Sequence, residues 1–290
     1  MRLQDAWEIP DSALSAKVMS VACHPKILAA LNMLYRKAPI PFQTLNFPVG
    51  TQQESHSDAL HFHSRPQRFM CGVWTALEDV TIDCGPLHYY PGSHKLAVYT
   101  LEDMGLLAAA HPGAPNVERR PSDVVYRDYE VFVRGLIEAY GLQKKVLMLK
   151  RGQALIWSAN LLHGGEPITN PEKSRHSQVT HYFFEDCVYY TPLFSDMAVG
   201  TMGIRTPRDI RTNRHVKGRY LGHSLHTRGP FEPARLNTPP QVELRIGKHD
   251  ASKAYYLLRH RMNRAAQLGI TRSAREAAHR LRARFMPTVQ

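Results

Sequence analysis

The sequence predicts a mainly β domain, a sandwich or a barrel, with helices at its flanks. From residue 42 onward, short segments rich in aromatic and β-branched residues follow one another, separated by Gly, Pro, Asn or Asp. Helical patterns precede, interrupt and follow these segments. Apolar residues make up 43% and charged residues 21% of the 290 residues, which is ordinary globular composition. These observations exclude a fibrous or wholly disordered protein.

The elements follow in a simple order. Residues 13–36 predict a helix that Pro25 breaks, because proline cannot donate a backbone hydrogen bond within a helix. A helical insertion is expected at 122–141, from a Ser122 N-cap to Gly141, and should pack on the sheet. The predicted strands are 42–48, 57–63, 69–77, 86–90, 146–149, 153–158 and 177–184.

The C-terminal part differs from the rest. We predict a first domain over 1–200 and, over 201–290, an irregular and then helical extension that packs on the core, with helices at 250–267 and 271–285. Eleven Lys or Arg and two acidic residues lie in 245–290, so this segment carries +9 of the formal net charge of +12. An apolar stripe on the first of these helices favours packing on the core or on a second copy, and the second alternative would make the protein a homo-oligomer.

Cysteine spacing and the length of apolar runs predict the cellular compartment. The four cysteines have no CxxC spacing, which predicts reduced thiols and argues against a zinc knuckle or a disulfide framework. The first residues contain no apolar signal core, and no run of eighteen apolar residues occurs. We therefore expect a cytoplasmic protein without a membrane span.

A His-x-Asp pair carries the first chemical signal. In a strand, alternate residues share a face, so His56 and Asp58 would project from one side, about 6–7 Å apart at Cα. In the same regular strand His61 and His63 would point away. His163, at the end of an apolar strand and before two glycines, supplies a third ligand. Two imidazoles and a carboxylate form the facial triad typical of non-haem iron(II) oxygenases, which predicts His56, Asp58 and His163 as metal ligands and catalytic residues.

A basic residue follows the third ligand. A co-substrate such as 2-oxoglutarate chelates iron through its 2-oxo acid end, and its far carboxylate then needs a buried cation. Arg175 offers a bidentate guanidinium. Ser177 shares a strand face with Arg175 and offers a hydroxyl donor. These two residues are therefore predicted to bind 2-oxoglutarate.

Together these motifs resemble the phytanoyl-CoA dioxygenase family of iron(II)/2-oxoglutarate oxygenases. The resemblance rests on the H-x-D, the L-L-H-G-G strand end, the R-x-S, Trp74 in V-W-T-A-L-E-D, and the turn G-P-L-H-Y-Y-P-G-S-H, over about residues 42–190. It implies a double-stranded β-helix, or jelly roll, with Trp74 beside the co-substrate. It also implies Fe(II), 2-oxoglutarate and O2 as cofactors, and hydroxylation of a small molecule with release of succinate and CO2. The sequence departs from the family in reaching its H-x-D as early as residue 56 and in having no clear basic residue shortly before it.

Other interpretations compete with this one. The basic tail raises a nucleic-acid demethylating dioxygenase, although nucleic acid is the less favoured partner. A non-catalytic metal-binding jelly-roll protein of the cupin type would not need Arg175. A halogenase is disfavoured because Asp58 occupies the position where halide would enter. Trp157 is expected in the core, and packing or surface roles are expected for His61, His63, His88, His176 and His181. For His61, together with Phe62, a place in the lining of a substrate pocket is the alternative.

Overall fold

The computed structural model describes residues 2–10, 12–106, 122–195, 202–220, 222–226 and 243–244. The chain divides into two compact units, 1–242 and 243–290, and of the second only the short strand Glu243–Leu244 is among the described residues. The predicted helices at 250–267 and 271–285 lie outside the described residues. The predicted domain division at residue 200 stays a prediction.

The first unit is mainly β, with three α-helices among its described residues. The helices are α1 (Ala13–Ala22), α2 (Pro25–Tyr35) and α3 (Ser122–Ala139). The strands are β1 (Leu3–Gln4), β2 (Pro39–Phe47), β3 (His63–Arg65), β4 (Met70–Ala76), β5 (Leu87–Tyr89), β6 (Lys145–Leu147), β7 (Ala154–Ser158), β8 (His163–Gly165), β9 (Ser177–Phe184), β10 (Val188–Tyr190), β11 (Arg208–Asp209), β12 (Arg214–His215), β13 (Arg219–Tyr220) and β14 (His223–His226).

Two antiparallel sheets position the site. The larger has the order β1-β2-β9-β4-β7, and the smaller has the order β6-β5-β8. A core cluster contains side chains from both, including Trp74 of β4, Leu87 of β5, Trp157 of β7 and Val179 of β9. Burying these large apolar surfaces together is the main favourable contribution to this fold.

The two N-terminal helices lie against the larger sheet. Ser12 caps α1, and Pro25 occupies the first turn of α2, which confirms the predicted break. The side chain of Gln178 donates to the Val18 carbonyl at 3.0 Å, and the Tyr182 hydroxyl donates to the Ala22 carbonyl at 2.7 Å. Both contacts tie α1 to β9.

By length and composition, the stretch Ala13–Tyr35 is the one helical segment among the described residues that could cross a membrane, with a mean hydropathy of 1.2. Length and composition alone are weak evidence for a span. Here the stretch is divided between two helices, and Val18, Ala22 and Leu31 on it are buried within the protein.

Most predicted strands match the observed ones within a few residues, but the strand predicted at 57–63 is wrong. A 3-10 turn occupies Asp58–Leu60, and β3 begins only at His63. The Ser57 side chain accepts a hydrogen bond from the Ala59 amide, and the Asp58 carbonyl accepts the amides of His61 and Phe62. These local bonds replace the strand ladder, because short polar side chains such as serine compete with it for backbone donors.

Candidate metal centre and its cavity

A cavity of about 260 Å³ lies where the sheets approach each other. It collects residues that are far apart in the sequence, including His56, Asp58 and His163, which form the one cluster of potential metal ligands found among the described residues. The rest of its lining comprises Arg2, Gln4, Gln43, Leu45, Phe47, Thr51, Gln53, His61, Phe62, Trp74, Leu87, Trp157, Gly164, Arg175, Val179 and His181.

The two histidines of the cluster are joined through their backbones. His56 and His163 form an isolated antiparallel bridge in which each amide donates to the other's carbonyl at 2.9 Å. This bridge replaces the strand that the sequence predicts around His56. It fixes the separation of the two Cα atoms and so places both imidazoles against Asp58.

The rings are oriented for coordination. The Nδ1–H of His56 donates to the Glu54 carbonyl at 2.8 Å, and that of His163 to the Leu161 carbonyl at 2.9 Å. Each Nε2 is then left with its lone pair facing the carboxylate. Both Nε2 atoms lie 3.9 Å from Asp58 Oδ1, too far for a hydrogen bond but close enough to share one cation. The three residues are buried, and a cation shared by these three atoms would offset the cost of burying the carboxylate.

Asp58 is held by its second oxygen. The Trp157 indole Nε1 donates to Asp58 Oδ2 at 2.7 Å, and His181 Nε2 lies 3.5 Å from the same oxygen. Burial acts to raise the pKa of this carboxyl, but the surrounding imidazoles outweigh it and hold the pKa below its usual range. The carboxylate form that a metal requires is therefore favoured.

The interaction of Trp157 was missed by sequence reasoning, which placed the residue in the core. It is buried, but it also positions Asp58. Gly72, a glycine inside a predicted strand, could have indicated the close approach of a large side chain. It lies directly opposite Trp157 in the β4–β7 pairing. A Cβ at Gly72 would lie 2.5 Å from the indole ring, so only glycine leaves room for it.

Helix α3 anchors the backbone between the candidate ligands His56 and Asp58. The Tyr129 hydroxyl accepts the Ser57 amide at 2.8 Å and donates to the Ser57 carbonyl at 3.3 Å. The Ser57 hydroxyl in turn donates to the Ala159 carbonyl at 2.8 Å. The insertion helix was expected to pack on the sheet, but its buried residues, among them Val125, cluster instead with loop and turn residues such as Leu60 and Leu162. Through Tyr129 it also holds the backbone between His56 and Asp58.

A polar chain supports the neighbouring strands. His88 Nε2 hydrogen-bonds with the Ser55 hydroxyl at 2.8 Å, and His88 Nδ1 lies 2.8 Å from Glu166 Oε1, which Lys144 also contacts at 2.7 Å. A Cβ at Gly164 would lie 2.7 Å from the His88 ring, so this glycine permits the close approach next to His163. His88 thus has a structural role, as the sequence indicated.

Arg175 is a buried cation without a carboxylate partner among the described residues. Its side chain is 2% exposed, its Nη1 donates to the Gly85 carbonyl at 2.8 Å, and its guanidinium lies 5.5 Å from the Trp74 ring centre. Within the described chain its Nε has no hydrogen-bond partner, and neither does the buried Ser177 hydroxyl. Burial lowers the pKa of Arg175 to about 10, so it remains charged at neutral pH.

The predicted co-substrate residues differ in placement. Arg175 and Trp74 line the cavity with the metal cluster, whereas Ser177 does not. The regular strand that would point His61 away from the site is wrong, whereas the alternative that His61 and Phe62 line a pocket agrees with the structure. His61 lines the cavity, because the turn at Asp58–Leu60 removes the alternation on which the prediction relied.

His181 also lines the cavity, whereas His63 is buried against Tyr190 elsewhere. No strand pattern around His181 distinguished it from a packing residue.

Sequence comparison decides the family. The family model described as phytanoyl-CoA dioxygenase (PhyH) matches residues 8–177, more than half of the 290-residue chain. The chain belongs to the phytanoyl-CoA dioxygenase family. The match includes His56, Asp58, His163 and Arg175, so the residues that meet in the cavity lie within the family domain.

Curated members of the family show more limited similarity. Phytanoyl-CoA dioxygenase domain-containing protein 1 of Mus musculus is 29% identical over 83 residues, 27% of this chain and 28% of the mouse protein. Its Dictyostelium discoideum homologue is 23% identical over 169 residues, 58% of this chain and 50% of that protein. The matches therefore span half or less of these relatives' lengths.

Two solved structures are similar to this chain at low sequence identity. The non-haem, α-ketoglutarate-dependent epimerase SnoN from nogalamycin biosynthesis has a TM-score of 0.44 and 20% identity, covering 65% of this chain and 64% of its own. EctD from S. alaskensis, solved with 2-oxoglutarate and 5-hydroxyectoine, has a TM-score of 0.44 and 16% identity, covering 63% and 56%.

Proposed function

We propose that this chain is an iron(II)- and 2-oxoglutarate-dependent dioxygenase that hydroxylates a small-molecule metabolite and releases succinate and CO2. In this proposal His56, Asp58 and His163 hold the metal, and Arg175 binds the far carboxylate of 2-oxoglutarate. One observation supports this proposal above all. A cluster of two histidines and one carboxylate lines the same cavity as a buried guanidinium that has no carboxylate partner in the described chain.

The residues fit an iron(II) ion. Two neutral imidazoles and one carboxylate leave three positions of an octahedral ion open, which a bidentate 2-oxo acid and O2 require. Each imidazole is fixed by a backbone carbonyl and Asp58 by Trp157, which is the outer support that metal ligands commonly have. When bound, the iron and 2-oxoglutarate supply the oxidising chemistry, while the protein positions the substrate and excludes water.

Arg175 fits the dicarboxylate. Burying a cation with an unpaired hydrogen-bond donor is unfavourable unless an anion accepts that hydrogen bond. A carboxylate suits a guanidinium because its two oxygens can accept two parallel hydrogen bonds. Trp74 lies beside this guanidinium, so it would pack along the bound co-substrate. A passive metal-binding protein has no need of such a residue. We further propose that the two sheets are the halves of a double-stranded β-helix and that the protein acts in the cytoplasm.

The first experiment tests the metal centre. Under anaerobic conditions, iron(II) and 2-oxoglutarate should give the intact protein a weak visible charge-transfer band. His56→Ala should abolish it, because it removes one of three protein ligands. Ser20→Ala, on α1, changes an exposed side chain remote from the cluster and serves as the control. Absence of the band in the intact protein would contradict the proposal.

The second experiment tests Arg175 by comparing two 2-oxo acids. Titration calorimetry of the metal-loaded protein should show that Arg175→Met weakens 2-oxoglutarate binding by roughly 3–5 kcal/mol, the loss expected when a buried charge pair is broken. Pyruvate has the same chelating end but no far carboxylate, so its affinity should change little. If Arg175→Met weakened both ligands equally, the residue would act on the metal end or on folding, and its assignment would fail.

A further inference from the structure

The second oxygen of Asp58 has two neighbours, which contact it in different ways. Trp157 Nε1 donates a hydrogen bond to Oδ2 at 2.7 Å, whereas His181 Nε2 lies 3.5 Å from the same oxygen. A neighbour at this longer distance helps to orient the carboxylate only if its ring is held with a nitrogen toward that oxygen. The group that holds the ring of His181 therefore matters for the metal ligand.

A β-bulge places Gln43 beside His181. In the β2–β9 pairing Pro41 lies opposite Tyr182 and Gln43 lies opposite His181, so β2 accommodates one extra residue, Phe42. Such a bulge changes the direction in which the neighbouring side chains project. Directly opposed residues of antiparallel strands project from the same face of the sheet. Gln43 and His181 accordingly both line the cavity.

The Gln43 carboxamide is the polar group that contacts Nδ1 of this imidazole. Gln43 Oε1 lies 3.0 Å from His181 Nδ1, and the described chain gives this nitrogen no other hydrogen-bond partner. The rings of Phe62 and Phe42 pack against His181, with their centres 5.0 and 6.1 Å from the imidazole centre. His181 is 3% exposed, so water has little access to the ring. Gln43 is therefore the neighbour that selects the orientation of the ring nitrogens.

The orientation of an imidazole has to be selected, because the ring fits nearly the same space after half a turn about its last torsion. The turned ring of His181 would present carbon atoms to both Gln43 and Asp58. The hydrogen bond with Gln43 favours the observed orientation over the turned one. A carboxamide has an oxygen acceptor and a nitrogen donor, so it can pair with Nδ1 whether or not that nitrogen carries a proton. In both cases Nε2 stays directed at Asp58.

Resting on the proposed function, we infer that Gln43 is a positioning residue of the metal centre. By fixing the ring of His181, it keeps Nε2 directed at Asp58 Oδ2, which leaves Asp58 Oδ1 facing the two ligand histidines. Gln43 acts on the metal only through His181 and Asp58. Outer partners of metal ligands commonly contribute about 10- to 100-fold to metal affinity. Because Gln43 acts through a second residue, its contribution should be smaller, about three- to tenfold.

The test is a double-mutant cycle on the full chain, in which Zn²⁺ affinity is measured by competition with a chromophoric chelator. Gln43→Met should weaken Zn²⁺ binding by about three- to tenfold. His181→Phe should weaken it as well. Adding Gln43→Met to His181→Phe should change the affinity no further, because the carboxamide then has no imidazole to fix.

Gln4→Met is the matched control. Gln4 lines the same cavity, and it lies on the neighbouring strand β1, opposite Leu45 of β2. Its carboxamide donates a hydrogen bond to Asp5 rather than contacting His181. The same chemical change at this position should therefore leave Zn²⁺ affinity unchanged.

A spectroscopic measurement separates positioning from general packing. Proton–nitrogen NMR spectra of the Zn²⁺-loaded protein with isotope-labelled histidine are recorded at one fixed pH, and the signals of His181 are identified by their loss in His181→Phe. In the intact protein these signals should report one ring orientation. In Gln43→Met they should shift or broaden as the turned ring becomes populated, whereas Gln4→Met should leave them unchanged. Gln43→Leu repeats both measurements in case Gln43→Met does not fold.

Three results would overturn the inference: a folded Gln43 variant with Zn²⁺ affinity within about twofold of the intact protein, an effect of that variant that persists undiminished beside His181→Phe, or unchanged His181 signals. His56→Ala is measured in the same series. If the intact protein binds Zn²⁺ and His56→Ala does not, such a failure concerns Gln43 alone. If the intact protein does not bind Zn²⁺, or if His56→Ala binds it equally well, the proposed function fails and this inference fails with it.

Discussion

Replacing Trp157 by phenylalanine tests how the protein holds its metal. The indole Nε1 donates to Asp58 Oδ2 at 2.7 Å in a buried site. Phenylalanine keeps most of the apolar volume but removes this donor. A hydrogen bond to a charged group contributes about 1.5–3 kcal/mol. Because 1.4 kcal/mol corresponds to a factor of ten, we expect Trp157→Phe to lower metal affinity by roughly 10- to 100-fold.

The measurement is a competition between the protein and a chromophoric chelator for Zn²⁺, repeated with iron(II) under anaerobic conditions. Trp74→Phe is the control, because it makes the same chemical change in the same cavity but removes no bond to Asp58. Its metal affinity, measured without 2-oxoglutarate, should stay close to that of the intact protein. Near-UV circular dichroism establishes that both variants are folded.

A Trp157→Phe variant that is folded and binds metal within twofold of the intact protein would show that the indole hydrogen bond does not position Asp58 for the metal. In that case His181, the other group near Asp58 Oδ2 at 3.5 Å, would suffice to orient the carboxylate. A loss of equal size in Trp74→Phe would point to cavity packing rather than to the hydrogen bond.

Three further predictions concern the surroundings of the site. Gly72→Ala should weaken metal binding by displacing Trp157, and combining it with Trp157→Phe should add little in the chelator competition. Tyr129→Phe should leave the Ser57 amide without its partner, lowering the free energy of unfolding in urea by about 1–3 kcal/mol and weakening metal binding. His63 is buried with both ring nitrogens unpartnered in the described chain, and burial lowers its pKa to about 4 from 6.5. The unfolded state therefore binds more protons between these values, so stability falls as pH drops from 7 to 5, by about 2 kcal/mol for this group. His63→Phe should remove this contribution to the pH dependence of the free energy of unfolding, measured in urea. An unchanged pH dependence would contradict the claim that burial of neutral His63 causes it.

The sequence alone determined which residues are candidate metal ligands, and most of the strands. A metal site depends first on residue type, so His56, Asp58 and His163 could be predicted without coordinates. Arg175 could be singled out in the same way as a candidate cation, and the structure places it, buried, in the same cavity. Strands such as β4 and β9 could be predicted because aromatic and β-branched runs between turn residues are local signals.

Only the tertiary structure decided how these residues are held and what surrounds them. Ser57 turned the expected strand into a 3-10 turn, which brought His61 to the cavity, and the bridge to His163 then fixed His56. The Trp157–Asp58 bond joins residues 99 positions apart, and the Tyr129–Ser57 bond joins residues 72 apart. Residue type and local spacing carry no information on which distant side chain fills a given space, so such contacts are determined by packing of the whole chain.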